Sequence, residues 1–213
     1  KINIDIYSYI SSLIEKSLKD LNVTKIYGLL LHQSMDLMSK NGEIIYKCLE
    51  DFKSQDMISK IGISIYDPHE LETLIPNFGI DIVQAPYNLI DRRIEDDQWI
   101  IKLEKKKIQL YTRSVFLQGL LLMNKDNRPK YFKKWSNLFD NIDNHLIKNK
   151  LSPLEHSLNA VMHNKSVERL IVGVENLKQI KSIVKVLKKN KMTEINKSFF
   201  NNDAMLINPS KWR

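Results

Sequence analysis

The chain has 213 residues, 33 Lys and Arg against 25 Asp and Glu, a formal net charge of +8, and a single cysteine, Cys48. One cysteine excludes an internal disulfide framework and suits a reducing cytoplasm, and no apolar run approaches the roughly 18 residues of a membrane span. The lysines are dispersed along helical patterns, as in Lys178, Lys181, Lys185, Lys188 and Lys189, with no nucleic-acid-binding module beside them. The positive charge therefore reads as solvated helix faces, and neither nucleic acid nor membrane is an expected partner.

In chain order, Tyr7, Ile10, Leu13, Ile14, Leu18 and Leu21 recur at helical spacing and predict an amphipathic helix over residues 4–20. The apolar run Ile26-Tyr27-Gly28-Leu29-Leu30-Leu31 follows and ends in His32, a group that can handle protons. A second helix is predicted from about Glu43 to Phe52, then a strand from Lys60 to Ser64. Asp67-Pro68-His69-Glu70 marks a helix start: Asp67 can cap, Pro68 suits the first helical position, and Glu70 can reach back. Further strands are predicted at Asp81 to Gln84, Ile108 to Ser114 and Arg169 to Gly173.

Between the last two strands the chain makes a long excursion. Pro129 to Ile147 reads as an extra helix with Tyr131, Phe132, Trp135, Leu138 and Phe139 on or near one face. Ser152-Pro153-Leu154-Glu155 repeats the helix-start device and opens a helix to about Met162. Asn176 with Gln179 does so again, before the stripe Ile180, Ile183, Val184 and Leu187. We read 1–213 as a single domain, with 124–150 an insertion and 190–213 a tail that lacks a helix pattern and wraps back over the fold.

Strand and helix alternate throughout, which predicts a parallel sheet with its chemistry at the carboxyl ends of the strands. A closed barrel of eight such units takes about 250 residues. Here five units follow an opening helix, and the first residue is Lys1 rather than Met. The expected fold is α/β, a (β/α)8 TIM barrel of which this chain supplies roughly strands four to eight, the three earlier units lying upstream of it.

Several strand ends carry polar groups. His32 could donate a hydrogen bond to a carbonyl oxygen, or serve a structural role. Ser64, Gln84 and Ser114 close neighbouring strands and could hold a planar amide, or satisfy backbone groups there. Gly173-Val174-Glu175-Asn176 leads into a helix whose free N–H groups would accept phosphate. Arg92 and Arg93 could be solvated or paired with Asp91, and Trp99, Trp135 and Trp212 read as packing residues.

Taken in order, these stretches resemble the aldo-keto reductase family over nearly the whole chain. The similarity lies in Ser17-Leu18-Lys19-Asp20-Leu21, Leu29-Leu30-Leu31-His32, Lys60-Ile61-Gly62-Ile63-Ser64, the run from Val83 to Arg93, and Ile171-Val172-Gly173-Val174. The run from Arg113 to Met123 looks like a branch found in bacterial surface-polysaccharide gene clusters.

The resemblance implies a barrel enzyme that reduces a small-molecule carbonyl, an aldehyde or ketone with that of a sugar among the candidates, using NADP or NAD, NADP ahead. The family uses Asp, Tyr, Lys and His; only the His has a counterpart here, His32, and the other three would belong to the upstream strands. By the same resemblance, Ser64 and Gln84 hold the nicotinamide carboxamide, and Arg113 stands where many members stack an aromatic ring. Ser114 and Phe116 line the pyrophosphate path, while Gly173, Val174 and Asn176 cradle phosphate beside the adenosine. Gln179 stands where many members place an Arg for the 2′-phosphate, and Lys178 could replace it. Ile65 replaces a frequent Asn, and Ser182 and Ile183 replace a Glu-Asn pair at the adenine. The alternative is a truncated, non-catalytic barrel remnant that acts as a binding or interaction domain. Oligomeric state is left open.

Overall fold

The computed structural model describes residues 5–189 and 195–212; the start of the expected opening helix at residue 4, and 190–194 and 213 of the tail, lie outside them. Helices α1 (Ile6–Leu21), α2 (Gly42–Ser54) and α3 (Glu70–Asn77) alternate with strands β1 (Ile26–Leu31), β2 (Ile58–Ser64) and β3 (Ile82–Pro86). After them come α4 (Trp99–Lys105), β4 (Gln109–Arg113), α5 (Ser136–Asn149), α6 (Pro153–Met162), β5 (Val167–Leu170), α7 (Leu177–Lys189) and α8 (Ala204–Ile207). The strands form one parallel sheet in the order β1-β2-β3-β4-β5. Two compact units divide the chain, Lys1–Gln84 with Leu103–Gln109 and Ala85–Lys102 with Leu110–Arg213.

In the first unit, Asp5 caps α1 by accepting the N–H groups of Tyr7 and Ser8, and Asn22 ends it in a left-handed conformation at φ 52°. The buried stripe is narrower than the spacing predicts: Ile14 is buried, whereas Leu13 and Leu21 are exposed. Tyr7 meets Phe52 of α2 with ring centroids 5.3 Å apart. Strand β2 is the core of this unit, with Ile58, Ile61 and Ile63 at most 1 % exposed. Gly62 is there because the strands close in: a Cβ would lie 2.6 Å from Leu30 Cγ and 3.0 Å from Ile82. The start of α3 is offset from expectation. Pro68 lies in a turn ahead of the helix, yet Glu70 does reach back, accepting the N–H groups of Asp67 (2.8 Å) and Tyr66 (2.9 Å).

In the second unit, β5 is four residues long, and its ladder continues one step through the Ile171 N–H to the Thr112 carbonyl. The capping box at Ser152 and Glu155 forms as read. The excursion folds as a 3-10 turn at Lys130–Trp135 followed by α5, burying Phe132, Trp135 and Phe139. The tail, read as lacking helix, carries the single turn α8 between two 3-10 turns. It docks through a buried Phe199 set edge-on to His145 and His156, and through the Tyr131 hydroxyl donating to the Met205 carbonyl. Helix α4 escaped the sequence reading because seven residues are fewer than two turns, too few to show a period.

Candidate functional site

The first unit holds three of the candidate strand ends. Leu31 pairs with Ile63 and Ser64 with Gln84, so His32, Ser64 and Gln84 stand at equivalent steps on three adjacent parallel strands. His32 is exposed. Ser64 is 5 % exposed, Gln84 is half-buried, and the Ser64 hydroxyl donates to Gln84 Oε1 at 3.2 Å. That bond leaves a donor and an acceptor side by side, since Gln84 Nε2 retains its protons and Ser64 Oγ its lone pairs. Ile65, at the position where an Asn was the family expectation, is fully buried, where an amide would need partners that a core rarely supplies. Just past His32, the buried Ser34 hydroxyl donates to the Glu70 carboxylate.

The second unit, taken by itself, holds two candidate loops. Arg113 ends β4, its carbonyl accepts the Tyr87 N–H (3.1 Å), and its guanidinium donates to Ser114 Oγ (3.1 Å). The backbone then bends into the left-handed region at Ser114 (φ 61°), Leu117 (45°), Gln118 (52°) and Gly119 (83°). Val115, Leu117 and Leu120 anchor this loop in the core, while Ser114 and Phe116 are half-buried. The other loop holds Gly173, Val174 and Asn176, all exposed. Asn176 Oδ1 accepts the Gln179 N–H (3.0 Å) and Gln179 Oε1 accepts the Glu175 N–H (2.8 Å), a reciprocal cap at the start of α7. A Cβ at Gly173 would touch nothing within 4 Å, so the space beside that backbone is open.

Behind the Ser114 loop lies a buried polar network, of which only the pairing with Asp91 was expected from the sequence. Asn88, 0 % exposed, accepts the N–H groups of Ile90 and Asp91 on Oδ1, each at 2.9 Å, and donates from Nδ2 to the Ser114 carbonyl at 3.2 Å. The two arginines that follow divide the work. Arg93 pairs with the buried Asp91 carboxylate through both Nε (2.9 Å) and Nη2 (3.0 Å). Arg92 turns inward instead, over the Tyr87 ring at 4.0 Å, donating to the Ala160 carbonyl and the Glu95 carboxylate. The Tyr87 hydroxyl donates to Glu95 (2.6 Å) and accepts from Asn164 (3.1 Å). Burial pushes its pKa well above the ordinary tyrosine range, partly countered by Arg92, so it stays a neutral donor. An Asn two residues before a backbone turn was the available signal for Asn88; nothing in the sequence marks which carbonyl its amide would meet.

Solved structures that share this fold include two forms of one aldo-keto reductase and a glycerol dehydrogenase. The holo form of aldo-keto reductase AKR11C1 from Bacillus halodurans superposes with a TM-score of 0.71 at 18 % identity, covering 88 % of this chain and 61 % of that one. Its apo form gives 0.70 at 18 % identity, covering 91 % and 66 %. Glycerol dehydrogenase AKR11B4 from Gluconobacter oxydans gives 0.60 at 20 % identity, covering 90 % and 67 %. This chain thus spans about two thirds of the length of these structures, and the likeness is one of fold. No curated protein matches the chain. The model of the aldo/keto reductase family, however, matches residues 5–198, nearly all of the sequence, and the chain belongs to that family.

Proposed function

We propose that this chain forms the carboxyl five-eighths, roughly strands four to eight, of a (β/α)8 barrel that reduces a carbonyl with NADPH or NADH. The observation that carries this reading is the registered Ser64–Gln84 pair at the ends of β2 and β3. A primary carboxamide needs one donor for its oxygen and one acceptor for its N–H groups. Gln84 Nε2 and Ser64 Oγ offer that complement side by side, so the residues present fit a nicotinamide. When bound, the cofactor supplies the hydride. His32, one strand away, orients the carbonyl oxygen by hydrogen bonding. Arg113 offers a planar guanidinium to the ring, and Ser114 with Phe116 borders the diphosphate. Gly173, Val174, Asn176 and Gln179 would hold the adenosine phosphate, with Lys178 as the cation that would favour NADP.

A sugar carbonyl is the substrate proposed from the likeness of the Arg113 to Met123 run to the polysaccharide-cluster branch. A cytoplasmic location is part of the same reading, and no described helix is long and apolar enough to cross a membrane. Fluorescence titration of the intact protein with NADPH and NADH, alongside turnover of small aldehydes, tests the proposal. Saturable binding of either cofactor is expected, and no binding of either at millimolar concentration overturns it. His32→Ala should then slow reduction strongly while leaving cofactor affinity nearly unchanged; equal losses in both would give His32 a structural role.

A second reading, a non-catalytic interaction domain, is favoured by one observation: Leu177, Ile180, Val184 and Leu187 of α7 are 39–64 % exposed. Such an apolar face suits a covering partner. Native mass spectrometry distinguishes the two, since a stable hetero-complex without cofactor binding supports only the second.

A further inference from the structure

The backbone of the Ser114 loop is costly to hold. A serine in the left-handed region carries a strain that glycine does not, and Ser114 (φ 61°) opens a stretch in which Leu117 and Gln118 are left-handed as well. Such strain persists only where the surroundings over-determine it. Here two bonds converge on one atom, because the Ser114 carbonyl accepts the Asn88 side-chain amide (3.2 Å) and the Leu117 N–H (2.9 Å). Asn88 is well placed to act as a clamp. It is 0 % exposed, and its own orientation is fixed by the two N–H groups that its Oδ1 accepts and by its backbone N–H donating to the Asp91 carbonyl (3.0 Å). Asp91 is in turn held by both ends of the Arg93 fork. The chain of contacts therefore runs from a buried ion pair, through a turn, to the carbonyl of one strained residue.

We propose that Asn88 is a positioning residue: its side-chain amide holds the left-handed Ser114 and so presets the Ser114–Gly119 backbone in the shape that receives a dinucleotide's diphosphate. The assignment rests on the cofactor reading above for its ligand, but not for the clamp itself. Asn88 is 0 % exposed and so offers a ligand no surface of its own. It acts by removing alternative loop conformations, so that binding spends less of its free energy on ordering them.

The test separates these two parts. Asn88→Ser is the chosen variant because a hydroxyl can still accept from the Ile90 and Asp91 N–H groups, as in a serine turn, yet is too short to reach the Ser114 carbonyl. Asn88→Thr is the substitute should that variant fail to fold. In the protein without cofactor, amide hydrogen exchange across residues 114–119 should accelerate by about tenfold, as expected for losing one hydrogen bond to a strained carbonyl, while exchange in α6 is unchanged. NADPH affinity, read by fluorescence titration, should weaken by about five- to tenfold. The same change made in a Ser114→Gly background should weaken it by less than about twofold, since glycine adopts this backbone without the clamp. A merely structural Asn88 would give additive losses in that cycle and uniform acceleration of exchange. Unchanged exchange at 114–119, or unchanged affinity beside a wild type that does bind, overturns the assignment. If the wild type binds neither cofactor, the cofactor reading fails by itself, and the exchange data alone decide whether Asn88 holds the loop.

Discussion

Helices α6 and α7 sit in the same unit and both were legible from their caps, α7 by an apolar stripe as well, but the fold uses them differently. In α6, six consecutive residues from His156 to Val161 are buried, polar side chains included. In α7, the sharper periodic stripe buries only Ile183 and Val186 and leaves Leu177, Ile180, Val184 and Leu187 exposed. Periodicity in a sequence reports which face of a helix is apolar. It does not report how much structure covers that face, and here the helix with the weaker pattern lies deeper.

The comparison can be broken at several points. The largest expected effect is in α6, where Leu158 is 0 % exposed. Leu158→Ala should destabilise the protein by about 3 kcal/mol in denaturant unfolding, and a loss below about 1 kcal/mol would mean that α6 is not the anchor its burial implies. Nearly as large is the acid sensitivity of His156. Burial, and secondarily His145 stacked at 4.9 Å, holds its pKa down to about 4, and neither ring nitrogen has a hydrogen-bond partner among the described residues. A histidine whose folded pKa lies below its unfolded value of 6.5 is stabilising as the neutral ring. Its full contribution is present above about pH 6.5 and is lost as pH falls towards 4, by up to about 3 kcal/mol. Replacing it by Phe should flatten the stability profile across that window; a profile that keeps its slope would place the acid sensitivity elsewhere.

A smaller effect is expected at the contact between the two helices. Glu155 of α6 both closes the capping box and pairs with Lys189 of α7, and the Lys189 hydrogen bond, with the Ser152 contacts, holds its carboxyl down to about 2. This stabilisation is present above pH 4.5 and is lost as pH falls towards 2. Because the Lys189 side chain is 55 % exposed, Lys189→Met should cost only about 0.5 kcal/mol and less at high salt. Smallest of all should be Leu187→Ala on the exposed stripe, within about 0.5 kcal/mol for the chain alone. A cost near 2 kcal/mol would mean that this face is covered in solution, and would favour the interaction reading over the solvated one.

Much of the frame was readable beforehand because it depends on local chemistry. The five strands, the Ser152–Glu155 box and the Asn176 cap follow from side chains that meet within a few residues of each other. The alignment of His32, Ser64 and Gln84 follows from parallel strands ending in step. The less legible features are long-range. Asn88 meets Ser114 across 26 residues and Arg92 meets Ala160 across 68. Phe199 finds its seat between His145 and His156 from a tail whose own sequence shows no period. Arg92 and Arg93 are chemically identical neighbours, yet one pairs with Asp91 and the other stacks on Tyr87.

From the sequence alone came the order of the strands and of the longer helices, several of their caps, and the polar residues that close the strands, because those depend on pattern and on neighbours a turn away. Only the tertiary structure decided which apolar faces are covered, which arginine turns inward, and which carbonyl Asn88 holds. Those outcomes depend on what the chain brings from far along its length, where a hydrogen bond or a packed ring is set by the geometry of the whole sheet rather than by the residues on either side.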